Sequence, residues 1–510
     1  MYYDDIIVGA GTCGAILATR LSEDAARSVL LIEAGPDYPD QASTPADLLY
    51  GQVSLVDHDW GLQAAALPGR TIPYPRGKVT GGSSAVNGTI ALRGDPADFD
   101  EWAARGLPEW SWDQVLGSYR VAEDDPVGAA LDPALHGVGG PFPILRVAAA
   151  EWQPWQAAFH DACIGRGFAR GADLNGAGAS GVGVFPRNKR GGVRMSTALT
   201  YLAMARSRPN LHITSGALVD RVVVEGGRAG AVEAIVDGAR SRFEGARVTL
   251  AAGGVSTPPI LVRSGIGPRA DLRALGIPVV SALEGVGAVL LDHPSAGLPG
   301  LPADGLIHDD DVVTEVGLRY TSAGSSDAND MQLCPATMFD PEQMRGFMPD
   351  PFPMFMIGAV LMRPRSTGRL RVRSAAPDAA PQIELNYLAD PFDMARMIEA
   401  WRLGRDLCRS PELAPMVKSL LVDDDVLADD AALAAVLREQ VTTTYHPAGT
   451  APMGPDVDPG AVVDAHGRVY GVDRLRVVDA SIMPTSVRSN TNLTCVMMGE
   501  RFAAWLAVEH

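Results

Sequence analysis

The sequence predicts an α/β fold (α+β overall) in two lobes, one built on a parallel sheet and one on a mostly antiparallel sheet covered by helices. Three observations predict it. The chain opens with a strand, a glycine turn, a helix and a second strand. Buried strands that end in glycine or an acid recur at residues 248–254 and 475–481. Between about 295 and 435 the chain instead carries apolar, strand-like runs and no nucleotide signal.

The opening unit is the most informative. Ile6, Ile7 and Val8 are a β-branched apolar run, as a buried parallel strand requires. Gly9, Gly11 and Gly14 follow as G-x-G-x-x-G around Thr12 and Cys13. The three glycines serve a tight turn, close backbone approach to a pyrophosphate, and close helix–strand packing. Ala15, Leu17, Ala18 and Leu21 fall at helical spacing, and the start of that helix presents free N–H groups to phosphate. A second strand over 29–32 ends in Glu33, 24 positions after Gly9. That is near the spacing of a carboxylate that accepts ribose hydroxyls. The unit points to dinucleotide binding and does not separate FAD from NAD.

Composition narrows the class. With 510 residues, the chain makes one large two-lobed unit or two to three domains. Hydrophobic residues make up 46% and charged residues 20%, enough core for a globular protein. A formal charge of −18 argues against nucleic acid and anionic membrane as partners. No apolar run reaches the roughly 18 residues of a membrane span. The first strand begins so early that no signal peptide fits before it, which predicts a cytoplasmic protein. The five cysteines, Cys13, Cys163, Cys334, Cys408 and Cys495, are scattered and lack C-x-x-C. They predict small core residues, with neither a disulfide framework nor a metal site.

A second glycine cluster runs from Arg76 through Gly81, Gly82, Ser83 and Ser84 to Val86, Asn87, Gly88 and Thr89. Its small residues let the backbone approach a flat or charged ligand closely. This cluster resembles the first signature of the glucose–methanol–choline (GMC) flavoprotein oxidoreductases, with Thr80 where the family usually has an aliphatic residue. The resemblance implies that the cluster packs beside the isoalloxazine, with Asn87 near its reactive edge. Some members carry at the place of Val86 a histidine that bonds covalently to the flavin. Valine has no nucleophile, so non-covalent FAD is expected.

Later segments follow in the family's order. Residues 95–120 read as helices with Trp102, Trp110 and Trp112 in the core. Residues 139–146 and 181–188 read as strands, and 196–206 as a helix. The 219–224 strand resembles the one whose valine, here Val219, touches adenine. Residues 253–267 resemble the second GMC signature, with Gly254 replacing alanine. Asp292-His293-Pro294 matches a further motif, and His293 reads as structural. Residues 331–338 and 352–362 read as methionine-rich core strands, 369–373 as a half-exposed strand and 393–409 as an amphipathic helix. This block should supply a sheet over the flavin's substrate face.

The C-terminal stretch carries the chemistry. His446 sits among turn residues, Asp479 ends a strand, and Asn490 or a neighbour caps the last helix. The positive end of that helix would stabilise an anionic reduced flavin. The resemblance implies that His446 and Asn490 are the catalytic pair facing flavin N5. It further implies that Gly9, Gly11, Thr12, Cys13, Gly14, Glu33, Ala34, Gly81, Gly82, Asn87, Gly88, Thr89, Val219, Ala252, Gly253, Tyr445, Asp479, Ala480 and Thr491 bind the cofactor.

The expected activity is oxidation of a primary or secondary alcohol to the carbonyl. Hydride passes to flavin N5, His446 accepts the proton, and oxygen, a quinone or another acceptor takes the electrons. The alternative within the family is a non-oxidative flavoprotein of the hydroxynitrile lyase or photodecarboxylase kind. An NAD(P)H-dependent flavin monooxygenase would normally show a second dinucleotide fingerprint, and the sequence has one. A flavin protein serving only as a binding partner would not need His446 with Asn490. The expected domains are a discontinuous FAD-binding unit of residues 1–145, 195–295 and 436–510, and a substrate unit of 146–194 and 296–435.

Overall fold

The computed structural model describes residues 1–50, 57–306, 313–338 and 353–509. The Tyr2–Val8 strand lies at the centre of a seven-stranded sheet. It pairs in parallel with Val29–Ile32 on one side and Ala239–Leu250 on the other. Leu211–Thr214 and Leu475–Val477 extend the parallel set, and Ala217–Glu225 with Arg228–Val236 add an antiparallel edge. Helices cover the central strands, which is why Ile6, Ile7 and Leu31 are apolar and fully buried.

The first helix, Thr12–Leu21, packs against the last, Thr491–Ala507, so the two ends of the chain meet at one place. A buried ion pair pins them: Arg20 donates from Nε and Nη2 to the two carboxylate oxygens of Glu500, and the Tyr201 hydroxyl donates to the same carboxylate. Two tryptophans expected in the core, Trp102 and Trp110, are fully buried, while Trp112 is half-buried.

The second large sheet is antiparallel, in the order Val417–Leu420, Pro294–Pro302, Met354–Leu361, Met331–Met338, Val316–Tyr320, Gly181–Val184. The expected helix over 393–409 forms as Pro391–Cys408 and packs on it, with Trp401 Nε1 donating to Ala296 O at 3.1 Å.

Several sequence expectations shrink: the strands expected over 181–188 and 369–373 form only as Gly181–Val184 and Arg369–Arg371. The strand expected over 139–146 is only Phe142–Pro143, paired with Glu123–Asp124 away from both large sheets. Pro141 and Pro143 have no N–H to donate, and the flexible Gly139 and Gly140 disfavour a longer strand. The helix expected over 196–206 is a wide turn, Ala198–Leu202, followed by one short α-turn, Ala203–Ala205. The strand expected over 352–362 is Met354–Leu361, and Phe352 lies outside the described residues. No described helix is long and apolar enough to cross a membrane. All five thiols are free, with Cys334 half-buried and the other four buried.

Candidate active site

A cavity lies at the carboxyl ends of the parallel strands, lined by residues that follow Val8, Ile32 and Leu250 and by Tyr445, His446 and Asn490. Of the residues the family resemblance assigns to the cofactor, Gly9, Gly11, Thr12, Cys13, Glu33, Ala34, Gly82, Asn87, Gly88, Thr89, Val219, Ala252, Gly253, Tyr445, Asp479, Ala480 and Thr491 line it. Gly14 and Gly81 lie behind the lining: a Cβ on Gly14 would meet Gly9 O at 1.9 Å, and Gly81 has φ +97° against Ala85 and Ala198.

The glycines separate by what they face. Gly9 has φ +97°, and its Cβ would meet Ala251 O at 2.6 Å. Nothing in the protein crowds Gly11, whose Cβ would find its nearest atom at 3.9 Å. Its bareness serves something outside the chain, as close approach to a pyrophosphate requires. Three helices begin at this cavity, Thr12–Leu21, Gly253–Arg263 and Thr491–Ala507. None has an acid in its first turn or a side-chain cap; Asp479 from a distant segment takes Gly253 N, and the ends of the first and last helices leave their N–H groups for an anionic ligand. These features fit FAD.

The acids along the cavity hold its walls. Glu33 accepts from Ala10 N and Gly35 N at 2.9 Å each, which brings the first glycine turn against the second strand. Asp479 accepts from Gly253 N at 2.8 Å and Thr257 Oγ1 at 2.6 Å, fixing the start of the second helix. Burial pushes both carboxyls above their ordinary range.

At the far end His446 meets Asn490, with Nε2 3.2 Å from Asn490 Nδ2. Asn490 occupies the cap position of the last helix, but its side chain makes no cap bond and turns to the histidine instead. That corrects the expectation of a helix cap. The turn carrying His446 is held by one carboxylate. Asp292 Oδ1 accepts from the backbone N–H of His446 and of His293, both at 2.8 Å. Its Oδ2 accepts from Tyr74, Tyr387 and Thr443 hydroxyls at 2.7–2.8 Å. Tyr445 takes a left-handed φ of +66°, and its carbonyl accepts from Arg76 Nη1 at 2.8 Å.

Two groups face His446 Nδ1 at 2.9 Å each: the Thr444 hydroxyl, which also donates to His293 O, and His293 Nδ1. On the other side of the ring Nε2 faces the Asn490 amide. Burial, His293 and the Arg76 guanidinium hold the His446 pKa well below 6.5, so the ring is neutral.

Sequence reasoning missed two members of this site. His293 Nδ1 lies 2.9 Å from His446 Nδ1, and Asp292 orders both histidines. The Asp292-His293-Pro294 motif was visible, but nothing in the chain's linear order brings it to His446. Val86 lines the cavity beside Asn87. Among the described residues the one group with metal-like spacing is Glu123, Asp125 and His136. Its oxygens already bind Arg93 and Arg146, so it reads as a buried charge network.

Comparison with known proteins identifies the family. Two family profiles, each described as GMC oxidoreductase, match residues 3–295 and 364–499. An oxygen-dependent choline dehydrogenase of Stenotrophomonas maltophilia is 36% identical, covering 98% of this chain and 94% of its own. A 5-(hydroxymethyl)furfural oxidase of Methylovorus sp. is 35% identical over 98% of each chain. Among solved structures, pyridoxine 4-oxidase from Mesorbium loti superposes with a TM-score of 0.89 at 29% identity, covering both chains fully.

Proposed function

The chain belongs to the GMC oxidoreductase family, and from that premise we propose that His446 is the proton acceptor and Asn490 the orienting amide of an FAD-dependent alcohol oxidation. Oxidation of CH–OH groups is the family's reaction, and the intact cofactor cavity is in keeping with it. When bound, FAD supplies the hydride acceptor. The chain's own residues do the rest. The substrate hydroxyl lies against His446 Nε2, which takes its proton, while the Asn490 amide hydrogen-bonds the oxygen and fixes its direction. His293 and Thr444 hold the ring from its other nitrogen.

The observation that carries this reading is His446 Nε2 lying 3.2 Å from the Asn490 amide in the cofactor cavity, with burial holding the His446 pKa well below 6.5. The test is anaerobic reduction of the holoenzyme by substrate. His446→Ala should slow it by roughly 10²–10⁴-fold, the usual worth of a positioned base. Slowing of less than about tenfold would remove His446 from the role.

The cofactor is held without a covalent bond, because Val86 offers no nucleophile at the cavity wall. Acid precipitation should leave all the yellow colour in solution. The FAD-binding unit comprises residues 1–145, 195–295 and 436–510, and the substrate unit 146–194 and 296–435. The protein acts in the cytoplasm on a small alcohol and passes electrons to oxygen, a quinone or another acceptor. Steady-state rates with oxygen and then with a quinone or dye identify the acceptor.

A further inference from the structure

We propose that Arg187 receives an anionic group of the substrate, so that the enzyme takes alcohols bearing a carboxylate in preference to cationic ones such as choline. The inference rests on the alcohol-oxidising reading above and adds the substrate class.

Arg187 is 7% exposed. Its Nη1 donates to Gly88 O at 3.0 Å and Thr89 Oγ1 at 3.2 Å, and both of those residues line the cofactor cavity. Its Nε is buried without a partner, and Nη2 makes no hydrogen bond among the described residues. A guanidinium has five N–H donors, so most of this one is unspent. No carboxylate lies within 4 Å of it among the described residues. The one carboxylate acting on it from farther away, Glu315, accepts from Gln153 N at 3.0 Å. Burial without an ion pair pushes the Arg187 pKa down to about 10.

Arg187 stands directly behind the cavity wall, its Nη1 bonded to two lining residues. Arg187 forms a backbone bridge with Ile90, which lines the cavity. Ile90 and the half-buried Cys334 pack on the same small core of Leu92, Leu174 and Phe185. Gln332, two residues before Cys334 in the sheet, is buried with its carbonyl oxygen unpartnered.

The sign of the field favours an anion. Lys189, half-buried, sits close enough to Arg187 and Arg194 that burial and those two charges push its pKa down to about 8. An ammonium substrate would need an opposing carboxylate or a bare aromatic face. The aromatic faces on the cavity already carry cations: Lys78 Nζ is 4.9 Å from the Trp60 ring centre and the Arg76 guanidinium 5.9 Å from that of Tyr445. A carboxylate would satisfy the buried guanidinium that the fold leaves unpaired.

The test compares 4-(hydroxymethyl)benzoate, benzyl alcohol and choline as substrates of the holoenzyme, with benzoate binding measured by calorimetry. The wild-type enzyme should favour the hydroxymethylbenzoate over the other two. Arg187→Met should lower kcat/KM for it by about 30-fold, chiefly through KM, and weaken benzoate by a similar factor. Benzyl alcohol should lose much less than the hydroxymethylbenzoate does, and Arg187→Lys should retain part of the preference. Equal losses for charged and neutral alcohols in Arg187→Met would overturn the proposal, as would a wild-type preference for choline. If no alcohol reduces the flavin, the functional reading fails. Benzoate binding still judges Arg187 in that case: weakening in Arg187→Met supports the anion site and unchanged binding rejects it.

Discussion

His293 Nδ1 lies 2.9 Å from His446 Nδ1, and the two rings meet edge to face at 79°. A buried imidazole therefore backs the nitrogen of His446 that faces away from Asn490. His293 is itself held neutral, its pKa pushed down to about 4, mainly by burial. In the proposed reaction it positions the base and does not take the substrate proton. His293→Ala should slow flavin reduction by about tenfold, short of the roughly 10²-fold floor expected at His446. A His293→Ala variant as slow as His446→Ala would make the two rings a single proton-handling unit.

Asp292 is the next test. It gathers two backbone N–H groups and three hydroxyls on one carboxylate. Asp292→Ala leaves all five buried donors short of an acceptor. The cost is set at about 1–3 kcal/mol for each donor that finds no water. A melting temperature unchanged from wild type would show that the site relaxes around the loss.

The acid side of the pH profile should be flat. In the proposed reaction His446 acts in its neutral form, and its pKa is lowered below 6.5. Protonation therefore begins only well below that value. In stopped-flow reduction with a non-ionising alcohol, the rate constant should hold between pH 8 and about 6. An inflection at or above 6.5 would mean that the ring is not desolvated as the fold implies.

Gly11 and Gly14 should fail differently. A Cβ at Gly11 meets nothing nearer than 3.9 Å, whereas at Gly14 it meets Gly9 O at 1.9 Å. Gly11→Ala should keep the apoprotein's melting temperature and loosen FAD by at least about tenfold, about 1.4 kcal/mol. Gly14→Ala should lower the melting temperature itself, by strain of about 1–3 kcal/mol or more. Tight FAD binding in Gly11→Ala, by flavin fluorescence, would break the link between that bare position and the pyrophosphate.

The buried charge network away from the cavity predicts a pH-dependent stability. Arg93 donates from Nε to Glu123 at 2.8 Å, Arg146 binds Asp125 and Asp173, and His136 Nε2 lies 2.8 Å from Asp173. Two guanidiniums and a protonated imidazole balance three carboxylates. The Asp173 and Glu123 carboxylates outweigh burial and raise the His136 pKa above 6.5. Its contribution is thus complete below about 6.5 and lost as pH rises through the higher folded-state value. Glu123→Gln should destabilise the protein by about 3–5 kcal/mol, since it leaves Arg93 buried and unpaired. A denaturant midpoint within error of wild type would show that the network carries little of the stability.

Much of the cofactor cavity was legible in linear order because its parts are local. Val8 to Gly14 is one strand, one turn and one helix start, and each glycine answers a steric demand set by its near neighbours. Arg76 to Thr89 reads as a close-approach loop for the same reason. The substrate side was not legible in this way. Arg187 looked like one basic residue at the end of a strand, and nothing local shows that it is buried without a counter-ion. His293 looked structural because its partner lies 153 residues away.

The sequence by itself determined the parallel nucleotide-binding core, the family, and His446 with Asn490 as the pair to watch. Periodicity, glycine placement and residue chemistry are set within a few positions of chain. Tertiary structure alone decided the protonation of His446, the turning of Asn490 from helix cap to histidine partner, and the unpaired charge of Arg187. Each depends on burial and on atoms brought together from distant segments, and desolvation has no expression until the chain has folded.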